Sequence, residues 1–317
     1  VMISAMRSVT IGVSNMDAAL QIFHDVMGLA IEQRFPLTAA RRAAWGLPPE
    51  TRGDLVELSC QGYPIGRIRL LALDPRPREY VRLDPLMGGT DGPLDIGVKA
   101  VDFYVAAPID RPLAELTAAG CVARSQPVRH MIGDTESEEV VLFGPDHVPL
   151  LIMIGHRHSP RSMRAGSPHG KYSEVPTISV VAGDPAVSRR FYGEALGLTA
   201  VVDDETPEPY RDLVCTLTGA PRGTRIHWLL YQDPDEPSGK ILLVHFIGRE
   251  GKRLVGRMHP SRLGVGLFQH SCPDVRGLHT SLVSAGARIE MPPTEVDGQL
   301  LLLVRGPNEE LFEITSQ

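Results

Sequence analysis

Cysteine is scarce in this sequence, and the few thiols show no paired spacing. Four of the 317 residues are cysteine, and no C-x-x-C pair occurs among Cys60, Cys121, Cys215 and Cys272. Scattered single thiols are typical of reduced cytoplasmic proteins rather than of disulfide-stapled secreted ones. We therefore expect a cytoplasmic protein whose cysteines are small buried residues.

Long apolar runs and basic stripes are also missing. No stretch approaches the roughly 20 apolar residues that a membrane helix needs, and Val1–Thr10 lacks the apolar core of a signal peptide. The net charge is −6, and no element carries a run of Lys and Arg. A membrane or a nucleic acid is therefore not an expected partner.

What the sequence does contain is the composition of a globular protein. Hydrophobic residues make up 43% and charged residues 22% of the chain, which is long enough for two domains with cores of their own. A small-molecule ligand or substrate is the expected partner. The sequence leaves a homodimer open.

Two segments in different halves of the chain repeat the same pattern. Val9–Leu29 and Ile178–Leu198 each begin with a β-rich run and continue as an amphipathic helix that ends in Gly-Leu. Asn15 and Asp184 are suitable N-caps. The same succession of strand and helix recurs twice more. The predicted helices are Asn15–Met27, Arg111–Ala119, Asp184–Leu196 and Asp274–Ala285.

The repetition continues downstream of these helices. Asp54-Leu55-Val56 returns as Asp212-Leu213-Val214, and Arg67–Leu70 returns as Arg225–Trp228. Several matches in the same order indicate a gene duplication. We expect an N-terminal module pair at residues 1–157, a linker at 158–175 and a C-terminal module pair at 176–317. Clustered histidines of the connection, His156, His158 and His169, are interpreted as solvated residues.

Two motifs resemble the vicinal-oxygen-chelate superfamily, which includes glyoxalases, bleomycin-resistance proteins and extradiol dioxygenases. They are Phe191–Leu198 (FYGEALGL) and Gly306–Glu313 (GPNEELFE). The resemblance implies an α+β fold of duplicated βαβββ modules. It further implies two domains, each of two paired modules that form a curled mixed sheet around a cleft.

The resemblance also implies where a metal would be bound. Metal-binding members place His or Gln at the start of each module's first strand and Glu or His in its last strand, so that the side chains converge. In the N-terminal half these positions fall on Ser8, Ala100, Arg69 and Leu151. Because these residues make no credible ligand set, that half is predicted to be structural and free of metal.

In the C-terminal half the equivalent positions are Thr177, Leu267, His227 and Glu313. Candidate metal ligands are His227 and Glu313, with Gln269 on the face of Leu267, or His270 if the strand register shifts by one. The resemblance leaves open a divalent iron, manganese, zinc or nickel ion, or no metal. Without a metal, Glu313 and His227 are candidate proton-transfer groups and Tyr231 a candidate hydroxyl donor. The alternative interpretation places His227 and Tyr231 in the core.

Two functions remain open from the sequence. The first is an enzyme of the lyase, isomerase or ring-cleaving dioxygenase kind. It would act in an apolar cleft of the C-terminal half on a substrate with adjacent oxygens, or on an aromatic phenol or ketone. The alternative is a non-catalytic protein resembling the bleomycin-resistance type, which sequesters a small molecule between paired modules. Retention of Glu313 and His227 favours the enzyme, and loss of the other ligand positions favours the binder.

Overall fold

Four modules, each of one strand, one helix and a further set of strands, build the chain. A computed structural model describes residues 2–157 and 171–317. The elements of module 1 are β1 (Ser8–Val13), α1 (Met16–Leu20), β2 (Ala30–Pro36), α2 (Ala39–Ala44), β3 (Arg52–Ser59) and β4 (Arg67–Asp74). Those of module 2 are β5 (Gly97–Tyr104), α3 (Asp110–Ala118), β6 (Val122–Ala123), β7 (Val128–Ile132), β8 (Thr135–Phe143) and β9 (Pro149–Arg157).

Modules 3 and 4 repeat this plan. The elements of module 3 are β10 (Thr177–Val181), α4 (Pro185–Ser188), β11 (Thr199–Glu205), α5 (Arg211–Thr218), β12 (Arg225–Asp233) and β13 (Glu236–Ile247). Those of module 4 are β14 (Gly264–Cys272), α6 (Val275–Ser284), β15 (Arg288–Val296), β16 (Gln299–Arg305) and β17 (Leu311–Ser316). Short 3-10 turns lie at Pro85–Met87, Pro145–His147 and Glu208–Tyr210.

The four predicted helices are confirmed, and local chemistry explains their ends. The Asn15 side chain accepts a hydrogen bond from the Ala18 amide at 3.1 Å, and Asp184 accepts one from Ala186 at 2.8 Å. Helices α1 and α4 continue into the π-helical turns Gln21–Val26 and Arg189–Ala195. Gly28 and Gly197 follow with φ of 78° and 77°, a conformation that favours glycine.

The modules pair across the two halves of the chain. One sheet has the strand order β15-β16-β17-β14-β1-β4-β3-β2 and joins modules 1 and 4. The other has the order β11-β12-β13-β10-β5-β9-β8-β6, with β7 beside β8, and joins modules 2 and 3. The α+β fold with two mixed sheets is as expected. The expectation that modules pair within residues 1–157 and within residues 176–317 is wrong, because each half contributes one module to each sheet.

Antiparallel contacts between first strands join the modules. Ser8 of β1 lies opposite Gln269 of β14, and Ser179 of β10 lies opposite Ala100 of β5. Within each module the first strand pairs in parallel with the last, as Gln269 does with Glu313. First and last strands therefore lie side by side at the centre of each sheet, where the superfamily's ligand positions meet.

Two helices were not predicted, and one of them changes the register of module 3. The tripeptide Asp54–Val56 lies in strand β3, but its repeat Asp212–Val214 lies in helix α5. Gly219 ends α5 with φ of 78°. The segment that was expected to be a strand is therefore helix α5, and the strands of module 3 are counted from one element later. His227 lies in β12, the penultimate strand, and the last strand is β13.

The predicted linker at 158–175 lies mostly outside the described residues, as do His158 and His169. Its last part, 171–175, packs against the sheets, with Tyr172 buried and bridged to Val105. His156 lies 3.0 Å from Glu138. Among the described residues, no helix is both long enough and apolar enough to cross a membrane.

The pairing of modules predicts how the chain behaves when it is divided. When the chain is produced as two separate fragments, 1–157 and 176–317, neither fragment should unfold cooperatively. The reason is that β1 and β5 lose their partners β14 and β10. Mixing the two fragments should restore a 1:1 complex. Size-exclusion chromatography and urea unfolding measure this, and a stable folded monomer of residues 1–157 would contradict the pairing.

Candidate functional site

The strand register identifies the residues that occupy the superfamily's ligand positions. In the sheet of modules 1 and 4 they are Ser8, Arg69, Leu267 and Glu313, because Arg69 pairs with Thr10 just as Glu313 pairs with Gln269. In the other sheet Leu151 pairs with Asp102, and Leu242 pairs with Ser179. The positions there are Ala100, Leu151, Thr177 and Leu242, so Leu242 takes the place that the sequence assigned to His227.

The first of these clefts, over Arg69, Gln269 and Glu313, is filled by protein side chains and is called the closed cleft. Glu313 is fully buried. Its Oε1 accepts from Arg41 Nη1 at 2.8 Å and from Gln269 Nε2 at 3.2 Å, and its Oε2 accepts from Trp45 Nε1 at 2.7 Å. Helix α2 supplies Arg41, and Trp45 follows it directly. A buried carboxylate needs a charge or hydrogen-bond partner, and arginine and tryptophan supply both to Glu313.

Arg69 completes this arrangement from strand β4. Its Nη1 lies 3.8 Å from Glu313, and its Nη2 donates to Glu57 at 3.0 Å and to Gln269 Oε1 at 3.1 Å. Two guanidinium groups therefore occupy the surroundings in which a cation would be bound. A metal does not fit the closed cleft, because Glu313 is already neutralised and Gln269 already hydrogen-bonded.

His227 and Tyr231 lie elsewhere, and the predicted meeting of His227 with Glu313 is wrong. The two residues belong to different sheets. His227 Nε2 contacts Asp203 at 2.7 Å, and the same carboxylate accepts from Arg189. Tyr231 stacks on Tyr192 with ring centroids 5.2 Å apart. Both side chains face the helix that follows Ser188, whereas the neighbouring Trp228 and Leu230 face the cleft.

Gln269 and His270 lie on opposite faces of β14, as period-two alternation predicts. His270 is 1% exposed, its Nδ1 contacts the Ser4 carbonyl at 2.9 Å, and its ring lies 5.7 Å from Phe312. Burial lowers the pKa of His270 to about 4. His270 is therefore a neutral core residue, away from Gln269 and Glu313.

The second cleft, between modules 2 and 3, contains a cavity and is called the open cleft. Its empty volume is about 1050 Å³, including solvent at its mouth. All four equivalents of the ligand positions line it: Ala100, Leu151, Thr177 and Leu242. Further apolar lining comes from Val141, Met153, Leu217, Trp228 and Leu230. This cavity is thus lined by one module from each half, and not by the C-terminal half alone.

A metal does not fit the open cleft either, since alanine, leucine and threonine side chains offer no competent donor set. Among the described residues, no group of three or more His, Cys, Asp or Glu side chains is placed to hold a metal ion.

Polar groups gather on the cavity face of β5. Asp102 is 2% exposed and accepts from Ser179 Oγ, whose distances to Oδ2 and Oδ1 are 3.0 and 3.3 Å. Burial, reinforced by the charge of Glu139, holds the pKa of Asp102 well above its usual value. Tyr104, two residues along the same strand, also lines the cavity. Burial and the nearby carboxylates raise the pKa of its hydroxyl.

Glu139 differs from Asp102 in having a charge partner. His130 Nε2 lies 3.1 Å from its Oε2, and Ser137 Oγ donates to its Oε1 at 2.6 Å. Burial alone would raise the pKa of Glu139. The charge of His130 and the hydrogen bonds from His130 and Ser137 outweigh this effect and bring the pKa below its usual value. One cavity therefore holds a carboxyl whose pKa is raised and a carboxyl whose pKa is lowered.

Lys240 is one of four cationic side chains in this cavity wall, the others being Arg82, Lys99 and Arg124. It is 1% exposed, and its Nζ donates to the Pro237 carbonyl at 2.7 Å. Burial lowers the pKa of Lys240 to about 8, against the opposing effect of Glu174, Asp102 and Glu236.

Sequence reasoning did not select Asp102, Tyr104 or Glu139. A signal for Asp102 was present, because Val101-Asp102-Phe103 places one carboxyl inside an apolar strand. Glu139 belongs to the acidic segment Asp134–Glu139, whose composition is typical of a solvated surface turn. It is nevertheless 7% exposed, whereas Glu138, the preceding residue of β8, points to the opposite face of the strand and lies 3.0 Å from His156 Nε2.

Comparisons with known proteins agree with this fold. Residues 174–314 match the family described as the Glyoxalase/Bleomycin resistance protein/Dioxygenase superfamily. Glyoxalase I from Zea mays is similar over 98% of this chain and 92% of its own, with 13% identity and a TM-score of 0.62. A putative dioxygenase from Bacillus subtilis is similar over 99% and 86%, with 13% identity and a TM-score of 0.61. No curated protein sequence matches the chain.

The closed cleft predicts a large effect of one arginine on stability. Arg41→Met leaves the buried Glu313 carboxylate without its 2.8 Å ion pair. We expect the free energy of unfolding to fall by about 3–5 kcal/mol, as when one partner of a buried pair is removed. Urea unfolding measures this. The control is Arg42→Met, since Arg42 donates to the Thr51 carbonyl at 3.3 Å rather than to a carboxylate. A loss no larger than that of the control would contradict this assignment.

The buried His270 predicts a pH dependence of stability. Its pKa is about 4 in the folded chain against 6.5 for an ordinary histidine. Stability is therefore complete above pH 6.5 and is lost as the pH falls towards 4, because only the unfolded chain gains the proton. The loss should reach about 3 kcal/mol, at 1.36 kcal/mol per unit. His270→Asn should remove this part of the slope in urea unfolding, and an unchanged slope would count against it.

Proposed function

We propose that this chain, whose residues 174–314 match the Glyoxalase/Bleomycin resistance protein/Dioxygenase superfamily and whose fold is similar to that of glyoxalase I, acts on a small organic molecule in the open cleft without a metal. The reaction class is that of a lyase or isomerase. The substrate is largely apolar and carries adjacent oxygens, or is a phenol or ketone.

The observation that carries this proposal is the lining of the open cleft. The superfamily's ligand positions are occupied in this cleft by Ala100, Leu151, Thr177 and Leu242, which form part of the cavity wall. The space over them is therefore available to a ligand. An apolar cavity with a few polar groups is the usual form of a small-molecule site. The closed cleft offers no such space, since Arg41 and Trp45 contact Glu313 directly.

Catalysis is supported by the two carboxyl groups of the open cleft. Asp102 and Glu139 have pKa values shifted in opposite directions, which is the arrangement that separates an acid from a base. The second candidate function is sequestration without turnover. It is favoured by the mostly apolar surface of the lining, to which leucine, valine and methionine side chains contribute, and it needs neither carboxyl group.

The two tryptophans of the chain offer a test of where a ligand binds. Trp228 lines the open cleft, and Trp45 lies in the closed cleft. In buffer with EDTA, 4-nitrophenol should quench the fluorescence of wild type and of Trp45→Phe, with much less quenching in Trp228→Phe. Ala100→Phe should weaken binding at least tenfold by filling the cavity, whereas Val255→Phe, at an exposed site, should not. Binding that needs added metal, or that survives Ala100→Phe, would overturn the proposal.

A further inference from the structure

Asp102 and Tyr104 both line the open cleft from one face of strand β5. They are residues i and i+2 of β5, so their side chains leave the same face of the strand about 7 Å apart at Cα. Both line the cavity. In the part of the chain that the structure describes, the Tyr104 hydroxyl makes no hydrogen bond, while its backbone N–H donates to Ser173 Oγ at 2.9 Å and its carbonyl accepts from the Ser173 N–H at 3.0 Å.

The protonated state of Asp102 decides what this pair can bind. An ionised carboxylate would repel a negative oxygen, whereas a neutral carboxylic acid donates a hydrogen bond to it. Burial and the charge of Glu139 favour the neutral acid, against the hydrogen bond from Ser179 and the charge of Lys240. A neutral acid beside a tyrosine hydroxyl is a donor pair suited to an oxyanion.

Glu139 lies across the cavity floor from this pair. Tyr104 is in register with Met153 of β9, and Met153 with Glu139 of β8. Two strand spacings, roughly 10 Å between Cα atoms, separate Glu139 from Tyr104. Met153 and Leu151 form the apolar floor between them. The space suits one flat ring or short chain with its oxygen near β5 and its adjacent carbon near Glu139.

We propose that Asp102 and Tyr104 hold the oxygen of an enolisable ketone in the open cleft while Glu139 moves a proton on the carbon beside that carbonyl. The proposal rests on the proposed function and names its substrate class and residues. Glu139 takes the proton, and the C–H electron pair becomes the C=C bond of an enolate whose oxygen accepts hydrogen bonds from Asp102 and Tyr104. Return of the proton to a carbon of the enolate gives the ketone or its isomer, so no oxidant or co-reactant is needed.

A phenolate is a stable analogue of such an enolate, and 4-nitrophenol reports its own ionisation by absorbance. Donation from Asp102 and Tyr104 should make bound 4-nitrophenol ionise at lower pH than free 4-nitrophenol. Tyr104→Phe and Asp102→Leu should each reduce the ionisation constant of the bound probe roughly 10- to 100-fold, as expected for one hydrogen bond to a charged group. Asp102→Asn, which keeps a donor, should have a smaller effect. Tyr63→Phe is the control, since the Tyr63 hydroxyl donates to Glu236 outside the cavity.

Proton transfer is tested with 2-tetralone in D2O, by following deuterium uptake beside its carbonyl by NMR. Wild type should accelerate the exchange. Glu139→Gln should abolish the acceleration while 4-nitrophenol still binds, and Tyr104→Phe should slow it by about 10²–10³-fold. Tyr63→Phe should exchange as wild type does.

The outcomes separate the two proposals. If 4-nitrophenol does not bind, or binds equally to Ala100→Phe, the proposed function itself fails. If it binds in the open cleft but Asp102→Leu and Tyr104→Phe leave its ionisation constant unchanged, the assignment of Asp102 and Tyr104 as hydrogen-bond donors to the oxyanion is wrong. If the ionisation responds but the exchange of 2-tetralone is not accelerated or does not depend on Glu139, the proton-transfer step is wrong and sequestration is favoured.

Discussion

Pairing of first strands across the two halves of the chain governs the rest of the molecule. Because β1 joins β14 and β5 joins β10, each sheet is built from one early and one late module. The central strands then place the superfamily's ligand positions side by side in two separate clefts. Neither cleft belongs to one half, so any role assigned to a half as a unit cannot be correct.

The two clefts have diverged through the helix that lies between the second and third strands of modules 1 and 3. In the closed cleft, Arg41 of helix α2 forms an ion pair with Glu313, and Trp45 donates a hydrogen bond to the same carboxylate. Helix α5 instead lines the open cleft with Leu217 and Thr218. Arg41 of α2 therefore closes its cleft, whereas Leu217 and Thr218 of α5 leave a cavity. Ion pairs of Glu313 with Arg41 and Arg69 occupy the ligand positions of one sheet, and mostly apolar side chains occupy those of the other.

Local signals in the sequence predicted the local structure well. Asn15 and Asp184 cap their helices, and Gly28 and Gly197 end them, because caps and left-handed glycines depend on a few adjacent residues. The partners of Glu313 could not be predicted, since Arg41 lies 272 positions away and meets it only through pairing of modules. The sequence match of Asp212–Val214 with the strand residues Asp54–Val56 assigned His227 to the last strand of module 3. Because Asp212–Val214 is helical, His227 lies one strand earlier, in β12. Asp102 showed a local signal of its own, a carboxyl within an apolar strand.

The central claim is that the ligand lies in the open cleft of modules 2 and 3 and not in the C-terminal half alone. Anomalous diffraction from crystals soaked with 4-bromophenol would locate the bromine directly. The account predicts a bromine peak among Ala100, Leu151 and Leu242, with the phenol oxygen towards Asp102 and Tyr104. A peak beside Glu313 and Arg41, or beside His227 on the helix-covered face, would contradict it.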